Sequence, residues 1–180
     1  MKAIIRILFF VLVSMLNQQL YAQQKRLINY TEIGALIHSS TSLSENTTLN
    51  GFRTRTGITK LVSNHVGIGF ALGTDNYRKP SGASYNTLPI TINGSYFLKP
   101  DLIGLKLDVY GGYSPRLFDN FTRGMTAGAG LSYSFPVSNG LNLGLQTGYN
   151  YQKIDFPASY RLGESFDLGN IRLGIGLTFK

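Results

Sequence analysis

Two histidines, nine carboxylates and no cysteine bound the chemistry open to this 180-residue chain. Without thiols there is no disulfide, no cysteine–zinc site and no lipid-bearing N-terminal cysteine. With only His38 and His65, acid–base chemistry is limited. His38 precedes Ser39-Ser40, and a histidine beside a serine hydroxyl is a pairing that nucleophilic catalysis uses. His38 and Ser40 are therefore the catalytic candidates, although His-x-Ser arises easily by chance. His65 opens an alternating segment with an inward phase and reads as a polar neighbour rather than a ligand. No glycine-rich phosphate loop, carboxylate-rich calcium loop or histidine pair at metal spacing occurs, so no metal and no cofactor is expected. Gly128 and Gly130 are no nucleotide fingerprint, because no helix follows them. Asn46-Thr47-Thr48 and Asn93-Gly94-Ser95 match a glycosylation pattern, but the second lies inside an expected strand.

A second set of ionisable residues is more telling: Glu32, Arg53, Arg55, Lys106, Asp108 and Arg172 all fall within segments that alternate apolar and polar residues. Alternation with a period of two is the signature of a strand. In 65–74, Val66, Ile68, Phe70 and Leu72 oppose Gly67, Gly69, Ala71 and Gly73. The pattern recurs over 86–97, 102–113, 123–135, 141–151 and 167–179. Two earlier segments, 28–37 and 51–60, fit less well: Leu36 falls on the polar face of the first, and Thr54 and Thr56 dilute the apolar face of the second. Eight strands of roughly 10 to 13 residues result, longer than the ~5–6 of soluble strands and close to the ~9–11 that cross a bilayer at a tilt. Long polar connections at 39–50, 75–85, 114–122 and 152–166 alternate with short turns at 61–64, 98–101 and 136–140, the order expected of an up-and-down barrel with both ends on one side. Asn139-Gly140 favours a tight hairpin.

The choice between a soluble barrel and a membrane barrel rests on which face is small. Most glycines share the polar face, and only Gly94, Gly111 and Gly169 share the apolar one. Small residues suit the narrow interior of an eight-stranded barrel, so the polar face is expected inside. The six charges lie on that face, most of them near mid-depth, where contact with hydrocarbon would cost each on the order of 2–4 kcal/mol. Pairing of the first strand with the second and the eighth sets Glu32 between Arg55 and Arg172, an expected lumen ion network that fills rather than conducts. Tyr96, Phe97, Tyr133, Phe135 and Phe179 fall near one rim and Tyr113, Tyr149 and Tyr151 near the other, as two aromatic girdles. A soluble ligand-binding barrel of lipocalin type is the more distant alternative.

Lys2 and Arg6 flank an apolar run, Ile7 to Val13, that leads to Leu20-Tyr21-Ala22 before Gln23. This is a secretory leader layout, with cleavage expected after Ala22 and a single barrel domain over 23–180. The formal net charge is +8. The long loops balance, with Arg78, Lys79, Arg116, Arg123, Lys153 and Arg161 against Glu45, Asp75, Asp119, Asp155, Glu164 and Asp167. The excess sits in the lumen and on Lys25, Arg26, Lys60, Lys99 and Lys180, which argues against a nucleic-acid partner.

Together the leader end Leu20-Tyr21-Ala22-Gln23-Gln24, the eight strands and the closing Arg172-Leu173-Gly174-Ile175-Gly176-Leu177-Thr178-Phe179-Lys180 resemble the OmpA- and OmpX-like outer-membrane β-barrel proteins, with a leader similar to those of Bacteroidota. The resemblance implies an integral protein of the cell outer membrane with both mature termini in the periplasm. It implies a structural or surface-interaction role in the envelope, contact with outer-membrane lipid and lipopolysaccharide, and an aromatic-ended last strand (Gly174, Gly176, Phe179) read by the outer-membrane insertion machinery. Lys180 after Phe179 departs from that ending. His38 and Ser40 also resemble the His-x-Ser of an outer-membrane lipid A deacylase, with Glu32 or Glu45 as the implied carboxylate, but they stand in the first strand rather than later. An enzyme of that kind and a small channel are the alternatives.

Overall fold

Residues that alternate between greasy and polar can keep each kind in its own surroundings only as a strand whose two faces meet different media. The computed structural model describes residues 27–42, 48–78, 84–118, 121–155 and 165–179, and among these it contains strands and turns but no helix. The expected leader over 1–22, its junction with the barrel, the loop residues Glu45, Lys79, Asp119, Arg161 and Glu164, and Lys180 lie outside the described residues.

Among the described residues nine strands follow in order: β1 (Leu27–Thr41), β2 (Asn50–Leu61), β3 (Val66–Arg78), β4 (Ser84–Thr87), β5 (Ile90–Phe97), β6 (Gly104–Ser114), β7 (Gly124–Ser138), β8 (Leu141–Asp155) and β9 (Ser165–Phe179). Each pairs antiparallel with its sequence neighbours, except that β4 and β5 both pair with β3, and β1 closes the cylinder against β9. β4 and β5 form one stave. Asp75 opposes Thr87 and Leu72 opposes Ile90, so the register on β3 runs through without slipping. The break falls at Leu88-Pro89, where proline has no N–H for the ladder, and the Gly73 N–H donates to the Pro89 carbonyl across it at 3.1 Å. The protein is thus a closed, eight-stave, up-and-down β-barrel. Its connections alternate as the sequence indicates, with short turns at one end and the long loops at the other.

Strands β1, β3, β8 and β9 reach further toward the loop end than the alternation suggests. This corrects the place of Asp75, assigned above to a loop: it lies within β3, wholly buried. Polar residues at the mouth resemble loop residues in composition while still alternating in phase.

The outer face is apolar and bare. Ile92, Met125 and Val109 are 67%, 62% and 58% exposed, and Ile68, Phe70, Leu145 and Ile175 stand out likewise around the barrel. The threonines that blur the pattern of β2 also face outward, but their hydroxyls pair across strands, Thr31 with Thr56 at 3.1 Å and Thr54 with Thr74 at 2.8 Å. Pairing lets a hydroxyl sit on an apolar face without an unmet hydrogen bond.

Inside, two apolar plugs bracket a polar middle. At the loop end Leu36, Leu49, Tyr77, Ile154, Phe166 and Leu168 pack together, with Tyr85 against them. At the turn end Ile28, Phe97 and Leu102 do the same, with Leu61 alongside. Leu36, out of phase in the sequence, is out of phase because it faces inward into this plug. Phe97 departs from the expected girdle. Tyr96 takes the outward position on β5, so the next residue must point in, where Phe97 is buried. Tyr113, Tyr133, Phe135, Tyr149 and Phe179 face outward and exposed.

Leu36→Ala, which empties a fully buried site, should destabilise the folded barrel by about 2–5 kcal/mol. Ile92→Ala, on the outer face, should cost much less; reversible urea unfolding in detergent or lipid checks both.

Candidate functional site

Inward positions on β1, β2, β3, β6, β8 and β9 converge between the plugs on one ion cluster. It forms two levels. In the upper one, nearer the loops, Arg53 is 2% exposed and binds Asp75 through both carboxylate oxygens, Nε to Oδ1 at 2.7 Å and Nη2 to Oδ2 at 2.6 Å. Its Nη2 also donates to Asn150 Oδ1 at 2.8 Å and its Nη1 to the Tyr110 hydroxyl at 2.5 Å. Tyr110 in turn donates to Asn150 Oδ1 at 2.6 Å, and Asn150 Nδ2 to the Tyr77 hydroxyl at 3.2 Å. Such a two-pronged guanidinium–carboxylate pair, with its remaining donors met, is the geometry in which a buried ion pair offsets its desolvation.

The lower level centres on Glu32. Its register partner on β2 is Arg55, and Arg172 approaches from β9. Glu32 Oε1 lies 3.6 Å from Arg55 Nη1 and 3.7 Å from Arg172 Nη1. Arg172 Nη2 also donates to Asp108 Oδ2 at 2.9 Å, and Arg55 Nη2 to Thr91 Oγ1 at 2.8 Å. Lys106 completes the set below, its Nζ 5.9 Å from the Tyr30 ring centre. The guanidiniums of Arg53, Arg55 and Arg172 gather around the Tyr110 ring, 5.3, 4.4 and 5.4 Å from its centroid. A ring face attracts a nearby cation.

Glycine on β7, which is paired with β6 and stands two staves from β9, makes room for these large groups. A β-carbon at Gly128 would collide with the Tyr110 hydroxyl, and one at Gly130 with Arg172 Nη2. The charged middle therefore needs small residues beside it, which is why glycine and charge share a face in the sequence.

Glu32, Arg53, Arg55, Asp108 and Arg172 are thus brought together, with Lys106 at the margin. Asp75, Tyr110 and Asn150 belong to the cluster and were not singled out from the sequence. The signal for Tyr110 and Asn150 was their phase on the polar face, and for Asp75 the continuation of the Val66 alternation. Gly174 and Gly176 face the lumen, whereas Phe179 faces out at the turn-end rim. Tyr151 is half-buried and donates its hydroxyl to Asp167 Oδ1 at 2.6 Å.

His38 and Ser40 do not form a pair. The β1–β9 register shifts between them, so that His38 opposes Asn170 and Ser40 opposes Gly169. Such a bulge turns the following side chain to the other face. The His38 side chain points inward, with Nδ1 buried, while Ser40 Oγ lies outside over Gly169, 3.4 Å from the Tyr149 hydroxyl. The barrel wall stands between base and hydroxyl. His65 Nδ1 is held 2.7 Å from the Phe97 carbonyl oxygen at the turn end. Among the described residues no group of histidine, aspartate and glutamate is arranged to hold a metal ion.

No family model and no curated protein sequence matches this chain. Solved structures do. The chain is similar to the crystal structure of Neisserial surface protein A, with 16% identity, a TM-score of 0.49 and coverage of 86% of this chain and 96% of that one. It is similar to the N-terminal β-barrel domain of Pseudomonas aeruginosa OprF, with 18% identity, a TM-score of 0.44 and coverage of 86% and 98%. It is also similar to Ail, the attachment invasion locus protein of Yersinia pestis, with 13% identity, a TM-score of 0.46 and coverage of 86% and 100%.

Asp75→Ala leaves the Arg53 guanidinium buried without its counter-charge and should cost about 3–5 kcal/mol of stability. Replacing both partners by apolar residues of similar volume, Arg53→Met with Asp75→Leu, should restore most of that loss in the same unfolding assay.

Proposed function

We propose that this chain is an integral protein of the bacterial outer membrane, built as the OmpA- and OmpX-like barrels are, with a structural or surface-interaction role in the envelope. The observation that carries this reading is the inversion of the barrel wall: large apolar side chains ring the outside while arginines and carboxylates are buried within. A surface of that extent is costly in water and suits hydrocarbon. The closed barrel leaves no sheet edge for lipid to meet, as a spanning structure requires.

In this reading the leader over 1–22, similar to those of Bacteroidota, is removed on export. Both mature termini and the turn end face the periplasm, and the long loops face outward. Tyr96, Tyr133, Phe135 and Phe179 sit at one headgroup level and Tyr113, Tyr149 and Tyr151 at the other. Phe179, with Gly174 and Gly176 on the same strand, is the segment offered to the insertion machinery. Outer-membrane lipid and lipopolysaccharide are the immediate partners. The loops carry the interaction role, since the lumen is filled by the ion cluster and by the apolar clusters at its two ends. The separation of His38 from Ser40 weighs against the lipid-modifying alternative.

Because the chain lacks cysteine, a single introduced thiol reports its own side of the membrane. Thr48→Cys, at the loop end, should react with a membrane-impermeant maleimide on intact cells. Ser63→Cys, in the β2–β3 turn, should react only after the outer membrane is permeabilised. Equal labelling of both on intact cells, or recovery of the folded protein in buffer without detergent, would remove the assignment.

A further inference from the structure

Above the outward-facing Tyr113 and Met125, which are register partners, strands β6 and β7 share one more pair, Ser114 with Gly124, and stop. Their neighbours run on. β8 and β9 stay paired as far as Asp155 and Ser165, and β3 and β4 as far as Arg78 and Ser84. The gap this leaves between β4 and β8 is spanned by the returning end of the β6–β7 loop. Phe121 bridges to Asn86 of β4, the Thr122 N–H and hydroxyl both donate to the Asn86 carbonyl at 2.8 and 3.1 Å, and the Asp155 N–H of β8 donates to the Arg123 carbonyl at 2.8 Å. The segment 115–120 is thus pinned to the wall at both ends, just above the apolar belt. On it Leu117 and Phe118 are 58% and 60% exposed, the Phe118 ring tilted against that of Phe121. Neither joins the apolar cluster that fills the mouth. Among the described residues they are the only large apolar side chains left exposed beyond the strand ends at the loop end. The outward residues at that level on other staves are polar, among them Asn76, Arg78, Lys153 and Asp167.

We propose that Leu117 and Phe118 dip into the headgroup boundary of the lipid bilayer and anchor the loop end there. The proposal rests on the outer-membrane reading above and adds to it a second, local contact with lipid. The segment that carries them is short. Pinned at both ends, the residues 115–120 rise no more than about half their extended length, roughly 10 Å at ~3.3–3.6 Å per residue. They rise from a wall that ends here one residue past Tyr113 and Met125. The headgroup layer is itself about 5–8 Å deep on each side of the hydrocarbon core. The tip therefore stays at the lipid surface, and two large apolar side chains held there gain by leaving water for the acyl boundary. Arg116 and Arg123 flank them, both exposed, against the single Asp119. Cations beside leucine and phenylalanine are the composition of a segment that lies in a lipid interface. The backbone bonds to Asn86 and Asp155 order the loop beforehand, so insertion carries little further cost in chain entropy. A protein partner would have to reach down to the lipid surface to meet the same two side chains.

The chain has no tryptophan, so a single introduced one reports its own surroundings by fluorescence. Phe118→Trp, folded into phosphatidylcholine vesicles, should emit at shorter wavelength than Thr48→Trp. It should lose most of its emission to lipid brominated near the headgroup and little to lipid brominated near the chain end. Thr48→Trp, elsewhere at the loop end, should be quenched by neither. Val109→Trp, midway along the outer face of β6, should lose most of its emission to the chain-end bromines, which tests the membrane reading separately. Phe118→Trp unquenched by either lipid, with Val109→Trp quenched, would overturn the proposal and leave that reading standing. Equal quenching of Phe118→Trp and Thr48→Trp would also overturn it, since no particular loop would then be the anchor. Short-wavelength but unquenched emission that grows with the protein-to-lipid ratio would assign the tip to a second copy of the chain, against the proposal. An unquenched Val109→Trp would remove the membrane reading and the proposal with it.

Discussion

Closure of eight strands into a cylinder forces every second residue of each stave into a space barely wider than two facing side chains. Whatever points inward must therefore fit against what points inward from across the barrel, and whatever is charged must find its opposite there. This constraint couples glycine to arginine. Gly128 and Gly130 are small because the side chains of Tyr110, on the adjoining stave, and Arg172, two staves away, lie over them. It also couples the staves in sequence-distant pairs, with Arg53 and Asp75 on neighbouring strands but Asn150 and Tyr110 reaching them from the far side.

The charges gain from being enclosed together. An isolated ion moved into a dry interior loses several kcal/mol of hydration, and Arg53 recovers it through four hydrogen bonds to Asp75, Tyr110 and Asn150. Glu32 serves two arginines at once, which concentrates the closing seam of β1 on β9 and the β1–β2 hairpin on one carboxylate. Apolar clusters pack at either end of this middle. They are made of residues that the outer face could equally have used, and their inward phase is what adds them to the lumen filling.

Much of this was legible in the sequence because a period of two leaves few alternatives. The eight staves follow from alternation, and the proximity of Glu32 to Arg55 and Arg172 follows from pairing order alone. The plugs were not legible. Phe97 next to Tyr96 gives two adjacent aromatics, and composition does not say which one faces in. Leu36 broke the pattern visibly, but a single exception does not reveal a cluster with Tyr77, Ile154 and Leu168 that assembles from three other strands. Asp75 was missed because an acidic residue beside Asn76 and Tyr77 resembles a loop, although its phase was already that of the lumen. His38 and Ser40 were drawn together by spacing, and a bulge between them undoes the pairing.

The inside-out arrangement is tested most directly by methyl NOEs in micelles of hydrogenated detergent. Methyl groups of Ile92, Val109, Leu145 and Ile175 should show strong cross-peaks to the acyl chains, and those of Ala71 and Leu36 none. Acyl-chain contacts to Ala71 and Leu36, with Ile92 and Ile175 contacting only protein, would contradict the account.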